Sequence, residues 1–169
     1  MSASTLSVGT ILADRYVLAS LAPVSNAPEA WCASMAGNEQ PVMVLYFPAG
    51  SHSPRAMQRI VTEGAELREL RHPRVGALLD LAVEARGGVY GVTPWYGDDT
   101  LARRLERQGV FNLHVASALV SDVLSALGVL HSRQLAHRAV SPRDVTLFVA
   151  DDGRRSEEHT SELQSLAYL

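Results

Sequence analysis

A long apolar helix, followed at once by a polar loop and a strand, is the feature that most constrains the fold. Apolar residues at helical spacing predict a helix that begins after Asn112, a plausible N-cap, and ends near residues 131–134. The members of this apolar stripe are Val115, Leu119, Val120, Val123, Leu124, Leu127 and Leu130. Polar residues 137–144 then separate the helix from residues 145–148, which have strand character. We expect the rest of the chain to be organised around this stretch.

Composition excludes several classes of protein. The 169 residues suffice for one domain with a core, and 47% of them are hydrophobic against 20% charged. A net charge of −3 argues against a nucleic-acid partner. We predict no membrane segment, because the chain has no run of about 18 apolar residues. We also predict no signal peptide, because Asp14 and Arg15 interrupt the apolar residues near the N-terminus. The single cysteine, Cys32, is expected to be a buried strand residue in a protein of the reducing cytoplasm.

The remaining elements alternate between strands and helices. Strands are predicted at residues 15–21, 31–36 and 40–47, followed by a helix that begins at Ser53 with Pro54 in its first turn. A hairpin is predicted from residues 78–82 and 89–93, and a short amphipathic helix from residues 100–107.

The polar loop resembles the catalytic loop of the protein-kinase family, H-R-D-L-x-x-x-N. The positions that match are His137, Arg138 and Pro142. The positions that carry the chemistry differ: the catalytic Asp falls on Ala139, the frequent Lys on Ser141 and the metal-binding Asn on Asp144. The resemblance therefore implies a kinase scaffold without its catalytic base. Asp144 is a possible metal ligand, although a carboxylate that caps its own loop is the more ordinary role.

The resemblance extends upstream, with the same kind of loss. The three glycines that approach ATP phosphates in the family fall on Pro23, Ser25 and Pro28. In the V-A-I-K strand, Leu45 takes the place of the Lys that pairs the phosphates, while its helix partner is retained as Glu63. All 15 basic residues are arginine, so no lysine can replace the missing cation.

The adenine pocket is less altered than the phosphate site. Thr93 aligns with the gatekeeper position, and the backbone N–H of Tyr96 is available as a donor in the hinge. The residues that the resemblance assigns to this pocket are Val24, Ala30, Met43, Thr93, Pro94, Trp95 and Tyr96. Trp95 and Tyr96 have a plainer interpretation as packing residues beside a turn.

The predicted fold is α+β and protein-kinase-like: a small lobe with an antiparallel five-stranded sheet plus helix C, followed by the truncated start of a helical large lobe. We predict an N-terminal lead-in over residues 1–14, the small lobe and hinge over 15–96, and the start of the large lobe over 97–154. Residues 155–165 match the in-frame translation of an adapter used in short-read sequencing. We therefore expect residues 155–169 to be a non-native tail.

Three functions remain open at this point. The first is a catalytically inactive pseudokinase of the bacterial serine/threonine kinase-like group. It would need no cofactor and would bind a protein partner or another domain of the full-length chain. The second is an active serine/threonine kinase that uses ATP and Mg²⁺ with non-standard residues. The third is a truncated fragment without independent function.

Overall fold

A computed structural model describes residues 6–22, 29–37, 40–149 and 163–167. Their strands are β1 (Ile11–Leu12), β2 (Tyr16–Leu21), β3 (Glu29–Met35), β4 (Pro41–Phe47), β5 (Asp80–Val83), β6 (Val89–Pro94), β7 (Val145–Val149) and β8 (Leu163–Ala167). The helices are α1 (Pro54–Glu69), α2 (Leu101–Gln108) and α3 (Leu113–Ser132). These elements form two compact units, one of Met1–Arg71 with Ala77–Trp95 and one of His72–Gly76 with Tyr96–Leu169.

The first unit is built on an antiparallel sheet with the strand order β1-β2-β3-β4-β6-β5. The sequence predicts five strands, and the structure adds β1 within the predicted lead-in. This strand pairs only Ile11 and Leu12 with β2, which is too short to show an alternating pattern in sequence. The α+β class is confirmed, with one more strand in the sheet than expected.

One face of this sheet forms a closed apolar core. Side chains alternate between the two faces of a strand, so every second residue of β3, β4 and β6 points into it, as do Tyr16 and Leu18 of β2 before the register shift that follows Leu18. The buried members are Leu12, Tyr16, Leu18, Trp31, Ala33, Val42, Val44, Tyr46, Tyr90 and Val92. The other face carries Met43 and Leu45, on which the candidate site depends.

A side chain caps the start of each helix; the sequence predicts Ser53 and Asn112 in this role and Thr100 as the first residue of its helix. The hydroxyl of Ser53 accepts from the backbone N–H of Ala56 at 3.3 Å. Thr100 caps α2 in the same way, and Oδ1 of Asn112 accepts from the N–H of Val115 at 3.0 Å. Such side-chain acceptors satisfy N–H groups that have no partner within the helix.

The second unit packs one face of α3 against β7. Its buried cluster is Leu119, Val145 and Leu147, with Leu101, Phe111, Val115 and Val123 packed around it. Val120 and Leu124 were expected in the same apolar stripe, but their side chains are 57% and 62% exposed. Both lie one residue, and hence about 100° of helix rotation, beyond a core position.

Within the described residues, α3 is also the one helix whose length and composition would allow it to cross a membrane, with 17% of its apolar window buried. A single such helix is weak evidence, because core helices of water-soluble proteins meet the same criteria. The absence of a membrane segment therefore stays a prediction.

Residues 163–167 of the expected non-native tail form β8, which pairs antiparallel with β7 from Val145 opposite Ala167 to Val149 opposite Leu163. Ladder hydrogen bonds are made by the backbone and do not depend on the side chains. The adapter origin of the tail accordingly stays a prediction.

Candidate functional site

The place of the family's phosphate-binding lysine is apolar in this structure. Leu45 lies in the middle of β4, opposite Ala30 on β3 and Gly91 on β6. It is half-buried, and neither cross-strand neighbour carries a charge. A leucine flanked by alanine and glycine offers no electrostatic attraction to a phosphate.

Glu63, the retained partner of that lysine, forms an ion pair along its own helix. Its Oε1 lies 3.9 Å from Nε of Arg59, with 28% and 55% of the two side chains exposed. An exposed pair at i, i+4 contributes a few tenths of a kcal/mol (about 0.3–0.5) to helix stability. The Arg59–Glu63 pair is therefore a local contact along α1.

Apolar packing attaches α1 to the sheet instead. Leu67 is buried, and Gly64 lets the helix approach Leu81 of β5 so closely that a Cβ at position 64 would lie 2.8 Å from Cδ2 of Leu81. The position of α1 therefore depends on shape and burial rather than on a charge pair.

The small-lobe residues expected at the adenine pocket share one face of the sheet. Cys32 on β3, Met43 on β4 and Thr93 on β6 are directly opposite one another in register, with Ala30 two residues before Cys32 on the same strand. Ala30, Met43 and Thr93 are 4%, 3% and 5% exposed, whereas Cys32, expected to be buried, is half-buried. The hydroxyl of Thr93 is buried without a hydrogen-bond partner among the described residues. Val24 lies outside them.

The hinge residues begin where β6 ends. Pro94 pairs with Val42 as the last residue of β6, and the N–H of Trp95 donates to the carbonyl of Pro41 at 3.2 Å. Trp95 and Tyr96 are both half-buried. The amide of Trp95 is thus already used by the sheet, whose ladder it extends by one hydrogen bond.

The loop at His137 combines a buried histidine with a left-handed backbone at Arg138 and has alanine at position 139. His137 is 9% exposed, and neither ring nitrogen has a hydrogen-bond partner among the described residues. Arg138 has a left-handed φ of 64°, and its guanidinium donates to the carbonyl of Ala136 at 3.1 Å. Ala139, at the position of the catalytic base, is exposed and has no group that can accept a proton.

Asp144 caps the turn within this loop. Its Oδ2 accepts from the backbone N–H of Ser141 at 2.9 Å and from the hydroxyl of Ser141 at 2.6 Å. The carboxylate is 3% exposed. Buried carboxylates need such donors, so these contacts explain the residue without a metal ion. Among the described residues, no group of three or more His, Cys, Asp or Glu side chains is arranged to hold a metal.

Three ion pairs could not be predicted from the sequence, because the partners are far apart in the chain or lie among other charged residues. Arg74 pairs with Asp122 of α3 at 2.9 Å, which fixes the segment of His72–Gly76 to that helix. Asp99 accepts from Arg104 and Arg107 beside the start of α2. The hydrogen bond from Arg104 is the main cause that lowers the pKa of Asp99.

Comparison with known proteins agrees with the geometry. No protein-family model matches the chain. The chain is 30% identical to serine/threonine-protein kinase 36 of Pongo abelii over 108 residues. This match covers 64% of this chain and 8% of that protein. The chain is 28% identical over 137 residues to the kinase PkaB of Streptomyces coelicolor, which covers 80% of this chain and 32% of that protein. The chain thus spans a third or less of these two relatives.

Solved structures show the same fold. The kinase domain of Mycobacterium tuberculosis PknI superposes with a TM-score of 0.74 at 20% identity, over 97% of this chain and 62% of that one. Rad53 in complex with AMP-PNP superposes with a TM-score of 0.69 at 16% identity, over 79% of this chain and 34% of that one. The chain has the protein-kinase fold and is related to the protein kinase superfamily.

Proposed function

We propose that this chain is a kinase-like domain that transfers no phosphate and acts as a binding or regulatory module. The observation that carries the proposal is the apolar row Ala30–Leu45–Gly91 at the place where the family holds a cation on the ATP phosphates. Phosphoryl transfer depends on positioned charges, and this row supplies none.

The loop at His137 supports the same conclusion independently. Ala139 cannot accept the proton of a substrate hydroxyl, and loss of a general base alone costs about 10²–10⁴ in rate. Asp144, the remaining carboxylate, is engaged by Ser141 through two hydrogen bonds. In the described part of the chain, these residues therefore argue against binding of the phosphates and Mg²⁺ of ATP.

The module's partner is proposed to be a protein or another domain of the full-length chain, in the cytoplasm. The charge of −3 makes nucleic acid a poor alternative. Because the chain spans 32% of PkaB, a regulatory surface that acts on further domains of its own protein is consistent with this assignment.

An active kinase is the second candidate, and the position of Asp144 is what favours it. A carboxylate is a suitable oxygen ligand for Mg²⁺ and lies where the family has its metal-binding residue. Such an enzyme would use ATP and Mg²⁺ and would need a base other than residue 139.

A phosphate-transfer assay separates these functions. The chain is incubated with γ-labelled ATP, Mg²⁺ and a general serine/threonine substrate, beside the Asp144→Ala variant. The proposal predicts no label above background in either protein. Label that appears with the natural sequence and disappears in the variant would overturn the proposal and establish the active kinase. Non-cooperative unfolding of the chain would instead identify a fragment without independent function.

A further inference from the structure

We propose that the side chain of Met43 fills the small-lobe half of the adenine pocket, so that this chain excludes an adenine ring that an alanine at position 43 would admit. The inference rests on the proposed function and deepens it. It extends the loss of nucleotide handling from the phosphate end of the site, at Leu45, to the base end.

The register of β4 places Met43 in the pocket. Residues 42–45 read V-M-V-L against the family's V-A-I-K, so the methionine stands where the family has an alanine. Pairing of Met43 with both Cys32 and Thr93 sets its side chain on the face that also carries Ala30. Compared with alanine, methionine adds Cγ, Sδ and Cε, all of which extend away from the sheet.

Burial shows that this added volume is packed rather than exposed. Met43 is 3% exposed, while Cys32, its neighbour on β3, is half-buried. Methionine is unbranched and flexible, which suits it to filling an irregular space. A planar base that entered this space would have to displace the thioether and lose its contacts.

The hydroxyl of Thr93 lies on the same face as Met43 and receives no hydrogen-bond partner from it. Thr93 is 5% exposed, and its Oγ1 has no hydrogen-bond partner among the described residues. A buried polar group without a partner is energetically costly. Thioether sulfur is a weak acceptor, whereas adenine presents both ring nitrogens and an amino group. Removal of the methionine would therefore open a space with one polar group suited to a purine.

The test measures binding of adenosine, which has no phosphate and so reports on the base end alone. Titration calorimetry is carried out on the whole chain and on Met43→Ala, with Val44→Ala as the matched control. Val44 is the next residue of β4, is fully buried and points into the opposite, closed core. Its truncation also creates a cavity, but on the wrong face.

We expect no measurable adenosine binding by the unsubstituted chain or by Val44→Ala. Met43→Ala should bind adenosine at least about ten-fold more tightly than the weakest affinity that the titration detects. Thr93→Val in the Met43→Ala background should reverse much of that gain. Met43→Val, which removes less volume and keeps a strand-favouring residue, provides the same comparison if the alanine variant unfolds.

Two results would overturn the inference. Equal binding of adenosine by the natural chain and by Met43→Ala would show that the methionine does not close the pocket. Failure of folded Met43→Ala and Met43→Val to bind would show that something else excludes the base. Either result leaves the proposed function standing, because that function is tested by phosphate transfer from ATP and by cooperative unfolding, not by adenosine binding.

Discussion

The hydroxyl of Tyr16 donates a 2.9 Å hydrogen bond to Oδ2 of Asp80, although β3, β4 and β6 lie between their strands in the order of the sheet. The sheet must therefore curl until β2 and its edge strand β5 approach each other. The ring of Tyr16 also meets that of Tyr90 edge-on, with centroids 6.3 Å apart. This curl encloses the apolar core and leaves Met43 and Leu45 on the opposite face.

Loss of the Tyr16 hydroxyl should destabilise the domain. The ring is 1% exposed, so Tyr16→Phe keeps the packing but leaves Asp80 without this donor. We expect the free energy of unfolding in urea to fall by about 1–2 kcal/mol. Tyr90→Phe is the matched control, because no hydrogen bond of the Tyr90 hydroxyl is seen among the described residues; it should cost less. Equal losses in the two variants would contradict the role given to the Tyr16–Asp80 bond.

Alkaline pH should weaken the same contact. Burial, and then the hydrogen bond to Asp80, raises the pKa of Tyr16 from 10.0 to about 12. The unfolded chain loses this proton first, so the stabilisation is complete below pH 10 and is lost as the pH rises towards 12. The natural chain should lose stability more steeply across this interval than Tyr16→Phe. Parallel pH profiles would refute the assignment.

A side chain at position 88 should disrupt a second tyrosine–carboxylate contact. The hydroxyl of Tyr46 donates to Oε2 of Glu84 at 2.7 Å, and a Cβ at Gly88 would lie 2.7 Å from that hydroxyl. Because a tyrosine ring is rigid, Gly88→Ala should cost about 1–3 kcal/mol in thermal or urea unfolding. Gly128→Ala in α3, where nothing lies within 4 Å, should instead stabilise by about 0.5–1 kcal/mol. Stabilisation by both substitutions would rule out the predicted clash.

The pair of Arg74 and Asp122 should be coupled energetically. Its atoms are 2.9 Å apart and its side chains are 27% and 16% exposed, while Nη1 of Arg74 is buried without a described hydrogen-bond partner. Asp122→Ala should therefore lower the free energy of unfolding more in the unsubstituted chain than in the Arg74→Ala variant. A double-mutant cycle should give a coupling energy of about 1 kcal/mol or more. Additive effects of the two substitutions would show that the ion pair contributes nothing.

The sequence was most informative where periodicity and caps act locally. Ser53 and Asn112 cap their helices as predicted, because an N-cap needs only a side-chain acceptor within three residues. Thr100, predicted as the first residue of its helix, is instead the cap of α2. The outer face of α3 was mispredicted because Val120 and Leu124 are as apolar as the core residues next to them. Sequence hydrophobicity cannot tell which apolar side of such a helix is covered.

Contacts between distant residues lay beyond the sequence. The Tyr16–Asp80 bond joins residues 64 positions apart, and it exists only because the sheet curls. The turn made by Ser141 and Asp144 is local, and the sequence already offered it as the ordinary role of Asp144. The replacements of the kinase motif residues, such as Leu45 for lysine and Ala139 for aspartate, could be identified from the sequence alone. Burial of Met43 and of the Thr93 hydroxyl required the register of three strands.

The most direct measurement of the central claim is a thermal-shift titration of the chain with ATP, with and without Mg²⁺. A ligand that binds only the folded state raises the unfolding midpoint by mass action. With Leu45 in place of the cation and Asp144 engaged by Ser141, we predict no shift at millimolar ATP under either condition. A Mg²⁺-dependent rise that Asp144→Ala abolishes would contradict the account, because it would show that a nucleotide–metal site is still assembled.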